Sequence, residues 1–568
     1  MISMFFLKVY QTLEKIRTRY YLLFLFMMSI SFFFFHVHNV PAQIYTFDDM
    51  AFVTQSLKIS YTELLHTLFF TSDRILTHSC LDCIPSRPGI LLLLKTLYLP
   101  LGFNINLTYF FRALVVTGIC SFIFYFLALS TKKKVIALMG SIFYVTLPPV
   151  FSSTWLWGDV ELFAEFFALT ALFFLCMLIQ VSEDTSARYI KIRRIIYIIL
   201  FTFFLIFAVR TKETTKIFII IFPLVTVLFY RKLFLWLLPS FLLILYYIFP
   251  TTSGGYGTPF SFTSFYDKVI ASAGAEYSPE IPSIFSPSQH FTQVPSSLLN
   301  QLGFFLGYFV IVTLLSFLVR KIRLSTIKEL LSKIKASKME KDKLIFYISL
   351  FWMSLTFVAY GFFSSVGHRY YAVGLIPFTL LIFLLVAHVG DSISNNTFKK
   401  VYYSCFVIFL LITITTNVFH ISYHMRGGTI GYHKANFDTI KYLLSSENNI
   451  TYNNEDVAYL LFYWIFDNEK YYQSIKNDTI NRTFYNGVNY IGLRYIGDFN
   501  QSTFGNETAY FVNRWANTTP HELNQSQYNV TYLTAFGGCF DTSAYCLVKN
   551  IFIKPKKTHF VYAVNRVN

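Results

Sequence analysis

Long apolar runs recur along the first three-quarters of the chain. They fall near 20–40, 107–130, 135–151, 159–181, 195–209, 217–230, 233–250, 301–319, 344–363, 372–390 and 401–420. A helix needs about 20 apolar residues to cross hydrocarbon, where every backbone polar group must be satisfied within the segment. The pattern therefore predicts a polytopic α-helical membrane protein with about eleven transmembrane helices. Composition agrees. Of 568 residues, 55% are hydrophobic, 20% aromatic and only 14% charged, against about a quarter charged in soluble domains. This excludes an ordinary soluble globule, a disordered chain and a collagen-like fibre. The first run reads as a span rather than a cleaved leader. Lys8, Lys15, Arg17 and Arg19 precede it and no small-residue cleavage pattern follows.

The formal net charge is +17. No basic stripe interleaved with stacking aromatics marks a nucleic-acid surface, so the excess reads as retention of cations on the cytoplasmic side. With the N-terminus inside, the cytoplasmic segments hold 24 Lys and Arg and the opposite loops nine. Lys132-Lys133-Lys134 and the run 320–343 decide the bias. An odd span count then puts the C-terminus outside.

The tail gives an independent check. From 421 to 568 the chain turns polar and carries Asn-x-Ser/Thr at Asn449, Asn477, Asn481, Asn500, Asn506, Asn517, Asn524 and Asn529. Such acceptor sequences belong on extracytoplasmic surface. Asn106 falls outside as well, whereas Asn395 falls inside and is expected to stay unmodified. The chain thus divides into a membrane domain, 1–420, whose first outer loop is 41–106, and an extracytoplasmic glycosylated α+β domain, 421–568. In the tail, Asn436 to Ser446 reads as a helix, and Tyr490–Ile496, Thr508–Val512, Val530–Thr534 and Tyr545–Ile553 as strand-forming runs. Cys539 and Cys546 lie there and suit a disulfide in an oxidising compartment. Cys80 and Cys83, in the first outer loop, suit a tight disulfide, free thiols or half of a metal site with His66 and His78. Cys120, Cys176 and Cys405 sit in apolar runs and read as buried thiols.

Charges near membrane depth are costly and mark candidate function. The first loop opens with Tyr45-Thr46-Phe47-Asp48-Asp49-Met50. Its adjacent carboxylates suit a general base or a divalent-ion ligand, and Asp49 equally suits a helix N-cap. The second loop gives Asp159 and Glu161, with Glu165 one turn on. Glu161 and Glu165 share a helix face that should avoid lipid. Arg210, Lys212 and Lys216 break the positive-inside trend and call for an anion, such as a lipid phosphate. His368 and Arg369 lie in another outer loop, and Arg112 just inside the second span. Carboxylates from two outer loops thus face cations from others. That layout suits activation of a hydroxyl opposite a phosphate leaving group.

The order of these motifs resembles the membrane glycosyltransferases of the GT-C fold. The likeness is to the dolichyl-phosphate-mannose-dependent protein O-mannosyltransferases and the bacterial enzymes that add aminoarabinose to lipid A (glycosyltransferase family 39-like). It rests on Phe47-Asp48-Asp49-Met50, on Ser86-Arg87-Pro88-Gly89 heading an apolar interfacial helix, and on Arg112, Asp159, Lys212-Glu213, Arg369-Tyr370 and Pro377 in that order, across roughly 10–420. The resemblance implies transfer of a sugar, mannose or another hexose, from a polyprenyl or dolichyl phosphate, with inversion, at the extracytoplasmic surface. It implies Asp48 as general base with Asp49 supporting and a catalytic carboxylate at Asp159. Arg112, Lys212, Arg369 and His368 would hold the lipid phosphate. The family commonly has Asp-Glu where this chain has Asp48-Asp49, so either carboxylate can be the base. No cofactor is required, and a divalent metal at the pair stays open. The implied partners are the lipid-linked sugar, membrane lipids and a glycan, protein or lipid acceptor. The cell membrane is the favoured location, with the endoplasmic reticulum lumen as alternative. Two other readings use the same layout. An oligosaccharyltransferase-like enzyme would carry a Trp-Trp-Asp type motif in the tail, where Trp464 and Trp515 are isolated. A flippase or transporter for a lipid-linked sugar would show internal repeats and charges at the membrane centre.

Overall fold

The computed structural model describes residues 12–39, 56, 60–70, 88–101, 105–147, 150, 161–183, 190–212, 215, 217–248, 341–361, 372–393, 395–427, 439, 442, 451–453, 493–495, 509–514, 528–537 and 557–566. The helices are α1 (Thr18–Asn39), α2 (Tyr61–Phe70), α3 (Pro88–Leu101), α4 (Ile105–Thr131), α5 (Lys134–Val145), α6 (Glu161–Glu183), α7 (Ile190–Thr211), α8 (Phe218–Phe229), α9 (Arg231–Ile248), α10 (Lys341–Gly361), α11 (Ala372–Ser392) and α12 (Asn396–Gly427). Each apolar run named above falls on one of them, except 301–319, which lies outside the described residues. Among the described residues, five segments are long and apolar enough to cross a membrane: Phe110–Thr131, Glu161–Val181, Ile190–Thr211, Gly374–Asp391 and Thr397–Thr415. The chain is a polytopic helical membrane protein.

Local chemistry sets several helix ends. Pro88 occupies the first position of α3, where a missing N–H costs nothing. Ahead of α2, the Ser60 hydroxyl accepts from Glu63 N at 3.2 Å while Ser60 N donates to Glu63 Oε2 at 3.0 Å, a reciprocal capping box. The apolar run 135–151 gives a shorter helix than its length predicts. The Thr146 hydroxyl donates to Phe143 O at 2.8 Å as α5 stops, just before Pro148 and Pro149, which disfavour helix in the residue preceding them. Asn395 is exposed, and its Oδ1 accepts from Thr397 N at 2.8 Å, capping α12.

Aromatic pairs fix how the helices stack. Phe111 of α4 stacks on Phe163 of α6, with centroids 6.0 Å apart, and Tyr125 meets Phe173 at 5.2 Å, so these two helices run parallel. Phe167 of α6 meets Phe207 of α7 at 5.3 Å, and Phe174 meets Tyr197 at 6.0 Å, so this pair is antiparallel. Phe218 packs on Trp352 at 4.6 Å and Phe229 on Tyr347 at 5.5 Å, setting α8 antiparallel to α10. One end of the bundle therefore gathers the starts of α4, α6, α8 and α11 with the ends of α5, α7 and α10. The other end gathers the α4–α5 and α11–α12 turns. There the Lys133 ammonium bonds the Asp391 carboxylate and donates to the Tyr403 hydroxyl at 3.0 Å, while Glu14 accepts from Lys134 N and Val135 N at 3.0 Å each.

Beyond α12 the described strands form one sheet of order β2-β1-β3-β5-β4: β1 (Thr451–Asn453), β2 (Leu493–Tyr495), β3 (Ala509–Arg514), β4 (Tyr528–Gly537) and β5 (Lys557–Arg566). β1 pairs in parallel with β2 and β3, and β5 pairs antiparallel with β3 and β4. The runs 490–496, 508–512 and 530–534 contain or overlap β2, β3 and β4. Tyr545–Ile553 lies outside the described residues, as does most of the 436–446 helix, of which 439 and 442 are helical. β5 is an inner strand that the sequence did not mark. Its polar opening, Lys557-Thr558-His559, hides it, although Val561 to Val564 are all buried. Cys120 and Cys176 are buried thiols outside any disulfide, whereas Cys405 is only half-buried. That corrects the expectation for Cys405, which sits on α12, a helix with an open face carrying exposed Ile408, Leu411 and Ile412.

Candidate functional site: a buried charge cluster

Glu161 opens α6 and Lys212 follows the last residue of α7. Their side chains meet, with Lys212 Nζ 2.7 Å from Glu161 Oε1 and exposures of 8% and 1%. Each charge sits where its helix favours it. The carboxylate lies at a positive N-terminus and the ammonium at a negative C-terminus. The turn after α7 is tied down as well. The Thr215 hydroxyl shares its hydrogen between Ala208 O and Lys212 O, both at 2.7 Å, while Lys212 N donates to Ala208 O at 3.2 Å.

One turn into α6, Glu165 is fully buried. Its Oε2 accepts from the hydroxyl of buried Tyr144, near the end of α5, at 3.2 Å. Arg112, only 7% exposed, lies one residue past Phe111 and so at the same level as the start of α6. Four helices, α4 to α7, thus bring two carboxylates, a lysine, an arginine and a phenol to one end, and α3 closes against α7. A Cβ at Gly89 would collide with Thr211 Oγ1 and lie 3.1 Å from Phe207 O. α3 also reaches the first loop, since Lys95 Nζ donates to Ser56 O at 3.1 Å. Burial holds that ammonium below the ordinary lysine range. Ser56 lies seven residues past Asp49, within about 25 Å of extended chain.

The structure therefore pairs Lys212 with Glu161 and puts Arg112 at the same end of the bundle, with Glu165 one turn past Glu161 on the same buried face. Lys212 is already matched by a carboxylate, so its charge is shared. Asp48, Asp49, Asp159, His368, Arg369, Cys80, Cys83, Cys539 and Cys546 lie outside the described residues. So do Asn449, Asn477, Asn481, Asn500, Asn506, Asn517 and Asn524, and the side chain of Asn106 in α4. Asn529 is exposed on the edge strand β4, as is Thr531 two residues on. Among the described residues, no three His, Cys, Asp or Glu side chains gather as a metal site would require. Sequence reasoning missed Tyr144, which carries no charge and sits in an apolar run. It also missed the pairing of Glu161 with Lys212, which lie in separate loops. Their ends of antiparallel neighbours, α6 and α7, were the available signal.

No family model matches the chain, and no curated protein matches it in sequence. Among solved structures, the chain is similar to ArnT from Cupriavidus metallidurans bound to undecaprenyl phosphate, with 10% sequence identity over 96% of this chain and 98% of that one, and a TM-score of 0.45.

Proposed function

We propose that the protein is a membrane glycosyltransferase of the GT-C kind. It moves a hexose, mannose in the commonest case, from a polyprenyl or dolichyl phosphate to a glycan, protein or lipid acceptor on the extracytoplasmic side. The observation that supports this most is the buried cluster at one end of the bundle. Arg112 and the Glu161–Lys212 pair occupy a setting where unpaired charge is costly, and Asp159 stands two residues before Glu161 in the sequence.

In this reading the acceptor oxygen attacks the anomeric carbon from the face opposite the phosphate. The bond from that carbon to the phosphate oxygen breaks, and its electron pair stays on the phosphate. Asp48, with Asp49 beside it, takes the acceptor proton, and Asp159 supports the acceptor side. Displacement in line inverts the anomeric centre. Arg112, Arg369 and His368 neutralise the phosphate, and Lys212 adds a partial charge whose direction Glu161 fixes. Arg112 then carries a larger share than Lys212. No cofactor is needed, and a divalent ion at Asp48 and Asp49 would assist the same step. The N-terminus is cytoplasmic, and residues 421–568 form a glycosylated domain outside, on the cell membrane by preference.

The test is transfer from a radiolabelled polyprenyl-phosphate sugar, comparing wild type with Asp48→Asn and Asp49→Asn at matched expression. Loss of a general base lowers the rate about 10²–10⁴-fold. Donor binding should persist in the impaired variant. Normal transfer in both variants contradicts the assignment of the base, and no transfer by wild type with any donor contradicts the reading and moves weight to lipid-linked sugar transport.

A further inference from the structure

Hydroxyls in the apolar helices mostly bond their own backbone; among the described residues those of Ser29, Ser130, Thr211, Ser349 and Thr356 are buried without a partner, and α10 alone carries two of these, with an indole between them. Thr117, Thr170, Thr202 and Thr379 each donate to the carbonyl four residues back, at 2.7–2.8 Å. Ser349 and Thr356 of α10 do not, and neither hydroxyl has a hydrogen-bond partner. Between them, the indole Nε1 of Trp352 is likewise unpartnered. Ser349 and Trp352 are fully buried, and Thr356 is 6% exposed. Spacings of three and four residues put all three on one face of α10. An indole can only donate, and a buried indole N–H normally finds an acceptor.

The surroundings say where this face points. Trp352 packs edge-on against Phe218, the first residue of α8, three residues past Thr215 in the turn that holds Lys212. Thr356 lies against α11, where a Cβ on Gly374 would stand 3.3 Å from its Cγ2. From Ser349 to Thr356 the stripe spans about 10 Å of helix and rises toward the Arg112/Lys212 end.

We propose that Ser349, Trp352 and Thr356 form a hydrogen-bonding seam between α8, α10 and α11 that takes acceptor oxygens, supplied by internal water or by the phosphate-bearing end of a lipid. The reason is physical. Polar groups buried in a protein interior are satisfied, and a donor-only group beside two hydroxyls selects oxygen acceptors over apolar chains. Water in the seam requires no sugar transfer, whereas its occupancy by a lipid phosphate rests on the proposed function.

The experiment uses the full chain in nanodiscs of zwitterionic lipid. Ser349→Cys and Thr356→Cys are treated with a small charged methanethiosulfonate from the aqueous phase and read by peptide mass spectrometry. Ile348→Cys, at a buried apolar position on the same helix, is the reference. A wet seam makes the two cysteines react at least about tenfold faster than the reference, because thiol reactivity requires access. Rates unchanged by added polyprenyl phosphate identify water as the source, and slowed rates identify the lipid. Rates no faster than the reference, with and without the lipid, overturn the proposal. A second readout needs no cysteine. The Trp352 indole N–H, assigned by its loss in Trp352→Phe, exchanges with heavy water within minutes if the seam is hydrated or open to ligand. Protection as long as that of the slowest backbone amides contradicts it.

Discussion

Glu161 and Lys212 meet with side chains 1% and 8% exposed, while Lys133 and Asp391 make the same kind of pair with exposures of 20% and 52%. The two pairs stand at opposite ends of one bundle and differ in solvent rather than in chemistry. At the Lys133 end, water shares the charges, and the cations tie two turns together: Lys399 also reaches Asp391 at 3.4 Å, and Glu14 caps α5. An exposed pair of this kind contributes little and its loss is tolerated. At the Glu161 end, removing the pair from water costs several kcal/mol per ion, on the order of what good pairing returns. Retaining ions there for stability alone is a poor solution, because apolar residues of equal volume do as well. The contrast is the ground on which the proposed function assigns its chemistry to the buried end.

The most forceful way to break the contrast is to remove one partner of the buried pair. Glu161→Gln or Lys212→Met leaves an unmatched ion inside the bundle and should cost about 3–5 kcal/mol, read by denaturant unfolding in detergent. The double variant Glu161→Met/Lys212→Leu should recover most of that stability without recovering sugar transfer. If the double variant transfers sugar normally, the pair is structural only. Next in size is Gly89→Ala. Its methyl meets Thr211 Oγ1 and the α7 backbone, so about 1–3 kcal/mol should be lost. Adding Thr211→Ala clears one obstacle and should return part of it. Strict additivity of the two changes would contradict the close approach of α3 to α7.

Smaller effects sharpen the comparison from the surface side. Ser60→Ala removes the cap of α2 and should cost about 1 kcal/mol. Hydrogen bonds from Ser60 hold the Glu63 carboxyl below the ordinary glutamate range. A depressed folded pKa stabilises above the unfolded value, and that contribution fades as pH falls through the folded one. The stability gap between wild type and Ser60→Ala should therefore narrow in acid. A gap that widens in acid speaks against the capping box. The smallest effect belongs to Lys133→Ala, about 0–1 kcal/mol. Burial alone would lower the Lys133 ammonium, but its bonds to the Asp391 carboxylate and the Tyr403 hydroxyl outweigh burial and raise it. Its contribution is full below the ordinary lysine pKa and is lost as pH climbs through the raised one. Alkaline titration of wild type against Lys133→Ala checks this, and a difference that grows with pH contradicts it.

The helices were legible because hydrocarbon imposes length and apolarity together, so 107–130 and 159–181 announced α4 and α6 with little ambiguity. The sheet was less so. β1 is three residues long and overlaps the Asn449 acceptor sequence, and β5 opens on polar residues, so neither gave a hydropathy signal. Of the site, the depth of Arg112 and the shared face of Glu161 and Glu165 could be read from spacing. The Glu161–Lys212 contact could not, because it depends on which helix ends adjoin. Lys212 looked like a cation awaiting an anion, and its nearest anion turned out to belong to the protein itself.

The most direct measurement sets one cation from each end against the other. Arg112→Gln and Lys133→Gln are reconstituted in equal amounts of folded protein and assayed for transfer from a radiolabelled polyprenyl-phosphate sugar. Losing a preorganised charge that faces the leaving phosphate should lower the rate about 10²–10³-fold in Arg112→Gln. Lys133→Gln should stay close to wild type. Equal rates in the two variants, or a larger loss in Lys133→Gln, would contradict the assignment of the chemistry to the buried-charge end.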